Sequence, residues 1–109
     1  MKRTKRRYLA LLLDSDGAPS RKEFIDAVWS AVTKLYGEHG ASLTSLALID
    51  YDLEKKTAVI RTSLATLELV RTSLATITSL AGSEAAVHVL AVSGTIKALN
   101  KKTRVTANR

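Results

Sequence analysis

LTSLALIDYDLEKKTAVIRTSL, residues 43–64, is the stretch that decides how this chain folds. It reads as two strands, 43–52 and 57–64, rich in Leu, Ile, Val and Thr. The four residues between them, Leu53-Glu54-Lys55-Lys56, suit an antiparallel hairpin. A helical pattern flanks the hairpin on each side. Upstream, Pro19 and Ser20 open a helix: Glu23 stands three residues after Ser20, the spacing of a capping box, and apolar periodicity begins at Phe24. Phe24, Ile25, Val28, Val32 and Leu35 share one face, Trp29 and Tyr36 widen its edge, and Gly37 is the expected C-terminal stop. Downstream, Leu67, Val70, Leu74, Ile77 and Ala81 recur at alternating steps of three and four and predict a second amphipathic helix closed by Gly82.

Two more strands lie outside the helices. RRYLALLL (6–13) ends at the turn cluster Asp14-Ser15-Asp16-Gly17, and AVHVLAV (86–92) precedes Gly94. Beyond Gly94, TIKALNKK predicts a short basic helix capped by Thr95. The order β-α-β-β-α-β is that of an α/β (α+β) sandwich, ferredoxin-like or RRM-like, with an antiparallel sheet carrying both helices on one face. Right-handed crossovers put strands one and three in the centre and strand four beside strand one. Strand one is apolar on both sides, because Leu9, Leu11 and Leu13 alternate with Tyr8, Ala10 and Leu12. Only one of these sets is needed under the helices, so the other needs cover from the C-terminal segment or another chain. Tyr8, Ala10 and Leu12 are therefore candidate protein-interface residues, self-association included. Trp29 and Tyr36, one heptad apart, are either core cover or interface anchors. The hexapeptide RTSLAT occurs at 61–66 and 71–76, once across a strand end and once inside a helix, and does not mark a structural repeat.

Length and charge narrow the function. A chain of 109 residues makes one domain with a real core. With no cysteine it holds no disulfide and no thiolate zinc site, which fits a cytoplasmic location. No apolar run approaches the roughly 20 residues of a membrane span, and a signal peptide is not expected. The net charge of +7 is unevenly placed. Residues 1–7 carry Lys2, Arg3, Lys5, Arg6 and Arg7, and residues 97–109 carry Lys97, Lys101, Lys102, Arg104 and Arg109. The body, 8–96, has the other seven basic residues and all ten acidic ones, a net of −3. The expected organisation is a basic N-terminal tail (1–7), one RRM-like domain (8–96) and a basic C-terminal tail (97–109). The topology brings the start of strand one and the end of strand four to one edge, with Arg61 pointing the same way. Two distant tails become one patch, suited to phosphates through counterion release.

Enzymatic motifs are missing. His39 and His88 have no cysteine partners and no metal-ligand spacing, and the pairs Asp14/Asp16 and Asp50/Asp52 are read as turn and strand-end chemistry. No Gly-rich phosphate loop or nucleophile elbow is present. Strand three, TAVIRTSL, has no aromatic residue, so base stacking on the sheet is disfavoured and RNA is expected to bind through phosphates and shape. The alternatives are a ferredoxin-like protein-interaction or regulatory module whose tails only solubilise it, and a ribosomal-protein-like RNA binder.

Six segments, in order, resemble the ribonuclease P protein component 2 family, the archaeal and eukaryotic "Pop five" subunit: KRRYLAL (5–11), LYGEHGAS (35–42), LALIDYD (46–52), VIRT (59–62), VRTSLATIT (70–78) and VLAVSGTIKALNKK (89–102). The last is the most specific. The hairpin departs from the family in lacking glycines around 55–58, and the second helix in its threonines. The compact length is similar to the archaeal branch. The resemblance implies an RRM-like subunit that pairs with the TIM-barrel-like ribonuclease P protein component 3. It also implies that the subunit assists the ribonuclease P RNA in releasing the 5′ leader of precursor tRNA. The reaction would depend on magnesium held by the RNA, with no cofactor and no catalytic residue on this chain. The protein's task would be to screen phosphate repulsion. The expected RNA contacts are Lys2, Arg3, Lys5, Arg6, Arg7, Arg61, Lys97, Lys101, Lys102 and Arg104, with Ser93 and Gly94 as a backbone site.

Overall fold

The computed structural model describes residues 5–107, with side chains as far as Lys101. Its elements are β1 (Arg6–Ser15), α1 (Arg21–Ser42), β2 (Ala47–Asp52), β3 (Thr57–Ser63), α2 (Leu67–Ala75), β4 (Ser79–Leu80), β5 (Ser83–Ser93) and α3 (Ile96–Ala107), with a 3₁₀ turn at Leu64–Thr66. The strand order is β2-β3-β1-β5-β4, antiparallel throughout, so β1 and β3 are central and the long last strand lies beside β1. This is the expected arrangement with one extra short strand.

The inner face of the sheet is the apolar set that meets the helices. Leu9, Leu11 and Leu13 of β1 pack with Ala58 and Ile60 of β3, Phe24 and Val28 of α1, and Val70 and Leu74 of α2. Each such leucine contributes about 1.5–3 kcal/mol by leaving water. The capping box of α1 forms as expected: the Glu23 amide donates to Ser20 Oγ (3.1 Å) and the Ser20 amide to Glu23 Oε1 (2.9 Å). Phe24 stacks on Tyr51 at 5.5 Å, and the Tyr51 hydroxyl donates to the Pro19 carbonyl (2.5 Å), tying β2 to the start of α1. Burial, with Glu23 nearby, holds the Tyr51 phenol above its ordinary pKa of 10.0.

Three expectations change in the structure. Gly37 does interrupt α1, at φ 76°, but a further helical turn continues to Ser42. β2 begins at Ala47, not 43, because the Thr44 hydroxyl donates to the Ala41 carbonyl (2.7 Å) and accepts from the Leu46 amide (3.2 Å), holding a turn there. α2 stops at Ala75 instead of 81. The Thr76 hydroxyl turns back onto the Ser73 carbonyl (2.7 Å), and the chain enters a β4–β5 hairpin whose two turn residues, Ala81 and Gly82, both have positive φ. The basic helix expected after Gly94 does form: α3 packs on β5 and β1, and its Leu99 is fully buried.

Candidate nucleic-acid interface

One row of residues crosses the outer face at the basic end of the sheet. Ala47 of β2 pairs with Arg61 of β3, Arg61 with Tyr8 of β1, and Tyr8 with Ser93 of β5. Beyond that row lies Arg6, opposite Ser63. Antiparallel pairing of β1 with β5 thus delivers the chain's two basic segments to one corner.

Several contacts fix that corner. The Leu64 amide donates to the Lys5 carbonyl and the Ser63 amide to the Thr44 carbonyl, each at 2.8 Å. Beneath them the buried Thr66 hydroxyl bonds to those of Thr62 and Ser63, and the Thr62 and Ser63 hydroxyls also donate to the carbonyls of Thr44 and Leu43. The group is saturated with partners, so it is a rigid base. Across the corner, Arg7 Nη1 donates to the Arg6 carbonyl (2.9 Å) and lies 3.3 Å from where a Cβ on Gly94 would stand. Gly94 therefore leaves room for the Arg7 guanidinium. Next, Thr95 caps α3, its Oγ1 accepting from the Ala98 amide (3.1 Å). The positive end of the α3 dipole faces the corner already occupied by Arg7.

Lys5, Arg6, Lys97 and Lys101 are exposed at this end, and Arg7 and Arg61 are half-buried. Lys97 and Lys101 are one turn apart on α3, while Leu99 on the opposite side of the helix is sunk against the sheet. Of the other expected contacts, Ser93 is buried and its hydroxyl accepts from the Thr95 amide (3.4 Å), so it stabilises the turn, whereas Gly94 is exposed. Lys2 and Arg3 lie outside the described residues. Of Lys102 and Arg104 only the helical backbone is described.

The interface candidates separate in the structure. Ala10 is only 5% exposed, so it is not free to meet a partner; α3 covers this part of the outer face. That answers the demand for cover with the chain's own C-terminal segment. Tyr8 and Leu12 remain half-exposed, and Leu90, extruded by the bulge opposite Ala10 and Leu11, is 37% exposed. Trp29 is half-buried against the core, whereas Tyr36 is exposed. The sequence pattern did not disclose Leu99 as the anchor of α3; its one signal was a lone leucine on a basic helix.

The opposite end of the sheet is acidic. Asp14, Asp16 and Glu84 line a shallow depression there, and His88 Nε2 lies 3.9 Å from Asp14 Oδ2 in an exposed pairing. Asp52 Oδ1 accepts from the Lys55 amide (3.1 Å), the turn role expected of it. Among the described residues no group of three or more His, Asp or Glu is placed to hold a metal ion.

A sequence profile of the Rpp14/Pop5 family matches residues 7–104, from the basic start of β1 into α3. The chain belongs to the Rpp14/Pop5 family. It is 35% identical over 100 residues to ribonuclease P protein component 2 of Pyrococcus abyssi, covering 92% of this chain and 85% of that one. It is 34% identical over 100 residues to the protein of the same name from Methanosarcina mazei, covering 92% and 84%. A chain in the cryo-EM structure of yeast ribonuclease MRP superposes with a TM-score of 0.71 over 99% of this chain and 98% of its own, at 17% identity, a likeness of fold. The family match therefore includes Arg7, Arg61, Gly94, Lys97 and Lys101, the residues the fold gathers.

Proposed function

We propose that this chain is an RNA-binding protein subunit of ribonuclease P, which helps the catalytic RNA remove the 5′ leader of precursor tRNA. The observation that carries the reading is the convergence of Lys5 and Arg6 from one end of the chain with Lys97 and Lys101 from the other, in a member of the Rpp14/Pop5 family. Clustered cations at a rigid sheet end neutralise phosphates and leave bases largely unread. In this role the protein lowers repulsion between RNA segments, and magnesium and the hydrolytic step belong to the RNA. The chain itself supplies no catalytic group. The exposed edge of α1, with half-buried Trp29 and exposed Tyr36, is the surface for a protein partner, the TIM-barrel-like ribonuclease P protein component 3, and the complex works in the cytoplasm.

Salt titration of binding to the ribonuclease P RNA from the same genome tests the reading. Each phosphate contact adds roughly 0.7–0.9 to the slope of log affinity against log salt. Lys5→Ala/Arg6→Ala and Lys97→Ala/Lys101→Ala should each lower the slope by about 1.4–1.8. Slopes unchanged in both pairs would make these residues mere solubilisers and refute the reading.

A further inference from the structure

Of the cations described at the basic corner only Arg61 and Arg7 are half-buried, and Arg7 differs in that its Nη1 donates to the Arg6 carbonyl. The Arg61 side chain lies along the outer face of β3 between Ala47 and Tyr8, whereas Lys5, Arg6, Lys97 and Lys101 stand in solvent. Its Nε is sealed from solvent and has no hydrogen-bond partner among the described residues. No described carboxylate lies within ion-pair distance of it: Asp50, on the same face opposite Val59, makes no ion pair with it, and the ion pair found among the described residues is the remote His88–Asp14. The other neighbours on its face, Arg6, Ala10, Val59 and Ser63, offer no negative charge. Burying part of a guanidinium without a partner works against folding. An unsatisfied group of this kind on a central strand needs an explanation, and an absent anion supplies it.

Resting on the reading of this corner as an RNA surface, we infer that Arg61 is its fixed phosphate clamp, the one contact that sets where the RNA backbone lies on the sheet. The terminal nitrogens of Arg61 are not sealed as Nε is, and a guanidinium fork meets two phosphate oxygens at once. Packing on the strand has already immobilised the stem, so binding costs little side-chain entropy. Partial burial strengthens attraction to the phosphate relative to a lysine in water. The exposed lysines and Arg6 then supply screening, and Arg61 supplies position.

The full-length protein, titrated with the same ribonuclease P RNA in rising salt, tests the clamp through three single variants. Arg61→Met should weaken binding by at least about tenfold and lower the salt slope by about 0.7–0.9. It should melt at the same or a higher temperature, because a buried Nε without a hydrogen-bond partner has gone. Arg61→Lys should keep the slope yet bind several-fold more weakly, since the charge survives and the fork does not. Lys97→Met removes the same charge and should cost about threefold or less. An Arg61→Met protein that binds within twofold of the parent and melts lower makes Arg61 a structural brace and overturns the clamp. If that happens while Lys97→Met still flattens the slope, the RNA surface stands and the clamp alone falls. If the parent itself binds without salt dependence, both fall.

Discussion

Leu99→Ala is the sharpest probe of how fold and site depend on each other. Among the side chains described on α3, Leu99 alone is buried, at 0% exposure; Ile96, Lys97, Asn100 and Lys101 are exposed. Returning its apolar surface to water removes about 1.5–3 kcal/mol, and an uncollapsed cavity raises a Leu→Ala loss to about 2–5 kcal/mol. A helix of 12 residues is marginal in isolation, so the docking energy of α3 is of that same size. The expected result is local: α3 leaves the sheet while the inner core, built on Leu9, Leu11, Ile60 and Phe24, persists. Hydrogen exchange should then show lost protection in 96–101 and retained protection in β1 and β3. RNA binding should lose the salt slope contributed by Lys97 and Lys101 although both lysines are present. Full protection of α3 in Leu99→Ala, with an unchanged salt slope, would refute the dependence of the corner on this anchor.

The remaining predictions concern the frame. Ser20→Ala removes a capping-box oxygen, and chemical denaturation should show a loss of about 1 kcal/mol with RNA affinity unchanged. Tyr51 binds its proton more tightly folded than unfolded, so its contribution to stability is complete below the ordinary pKa of 10.0 and is lost as pH rises from there through the raised pKa of the folded state. A pH series of melting temperatures should show that alkaline loss in the parent and a smaller one in Tyr51→Phe.

Much of this architecture was legible in the sequence because local and global preferences agree. Ser20 and Glu23 announce the start of α1, and Leu9, Leu11 and Leu13 announce the inner face of β1. The failures occur where side-chain hydroxyls compete with the backbone ladder. Thr44 delays β2, and Thr76 ends α2 early, so that Ile77 is buried just after the helix and Leu80 is buried from a strand. Ala81 fits a helical spacing but has φ 52°, which no sequence spacing foretells. RTSLAT shows the limit most directly. At 61–66 it spans the end of β3 and a 3₁₀ turn, with Thr62 buried and Leu64 exposed; at 71–76 it lies in α2 and its cap, with Thr72 exposed and Leu74 buried. Tertiary burial chose between two conformations of identical residues. At the site, convergence of the basic segments followed from strand order alone, whereas the isolation of Arg61 depended on which neighbours share its face.

The net charge of the chain understates how the molecule presents itself to a polyanion. Arg6 and Asp14 occupy the same face of β1 eight residues apart, about 26 Å at the usual strand rise. That exceeds the screening length of about 8 Å at physiological ionic strength, so the acidic end around Asp14, Asp16 and Glu84 does not cancel the basic corner. Each end acts on its own surroundings. On the proposed reading, an RNA would be drawn to the corner of Lys5, Arg6 and Lys97 and repelled from the far end of the same strand, which would fix the direction of approach before any contact forms. Arg61, one residue row further in along the face, would then meet the backbone that the exposed cations draw there. In that arrangement, screening at the rim and a fixed contact inside it would divide the work of binding between residues that the chain keeps far apart in sequence.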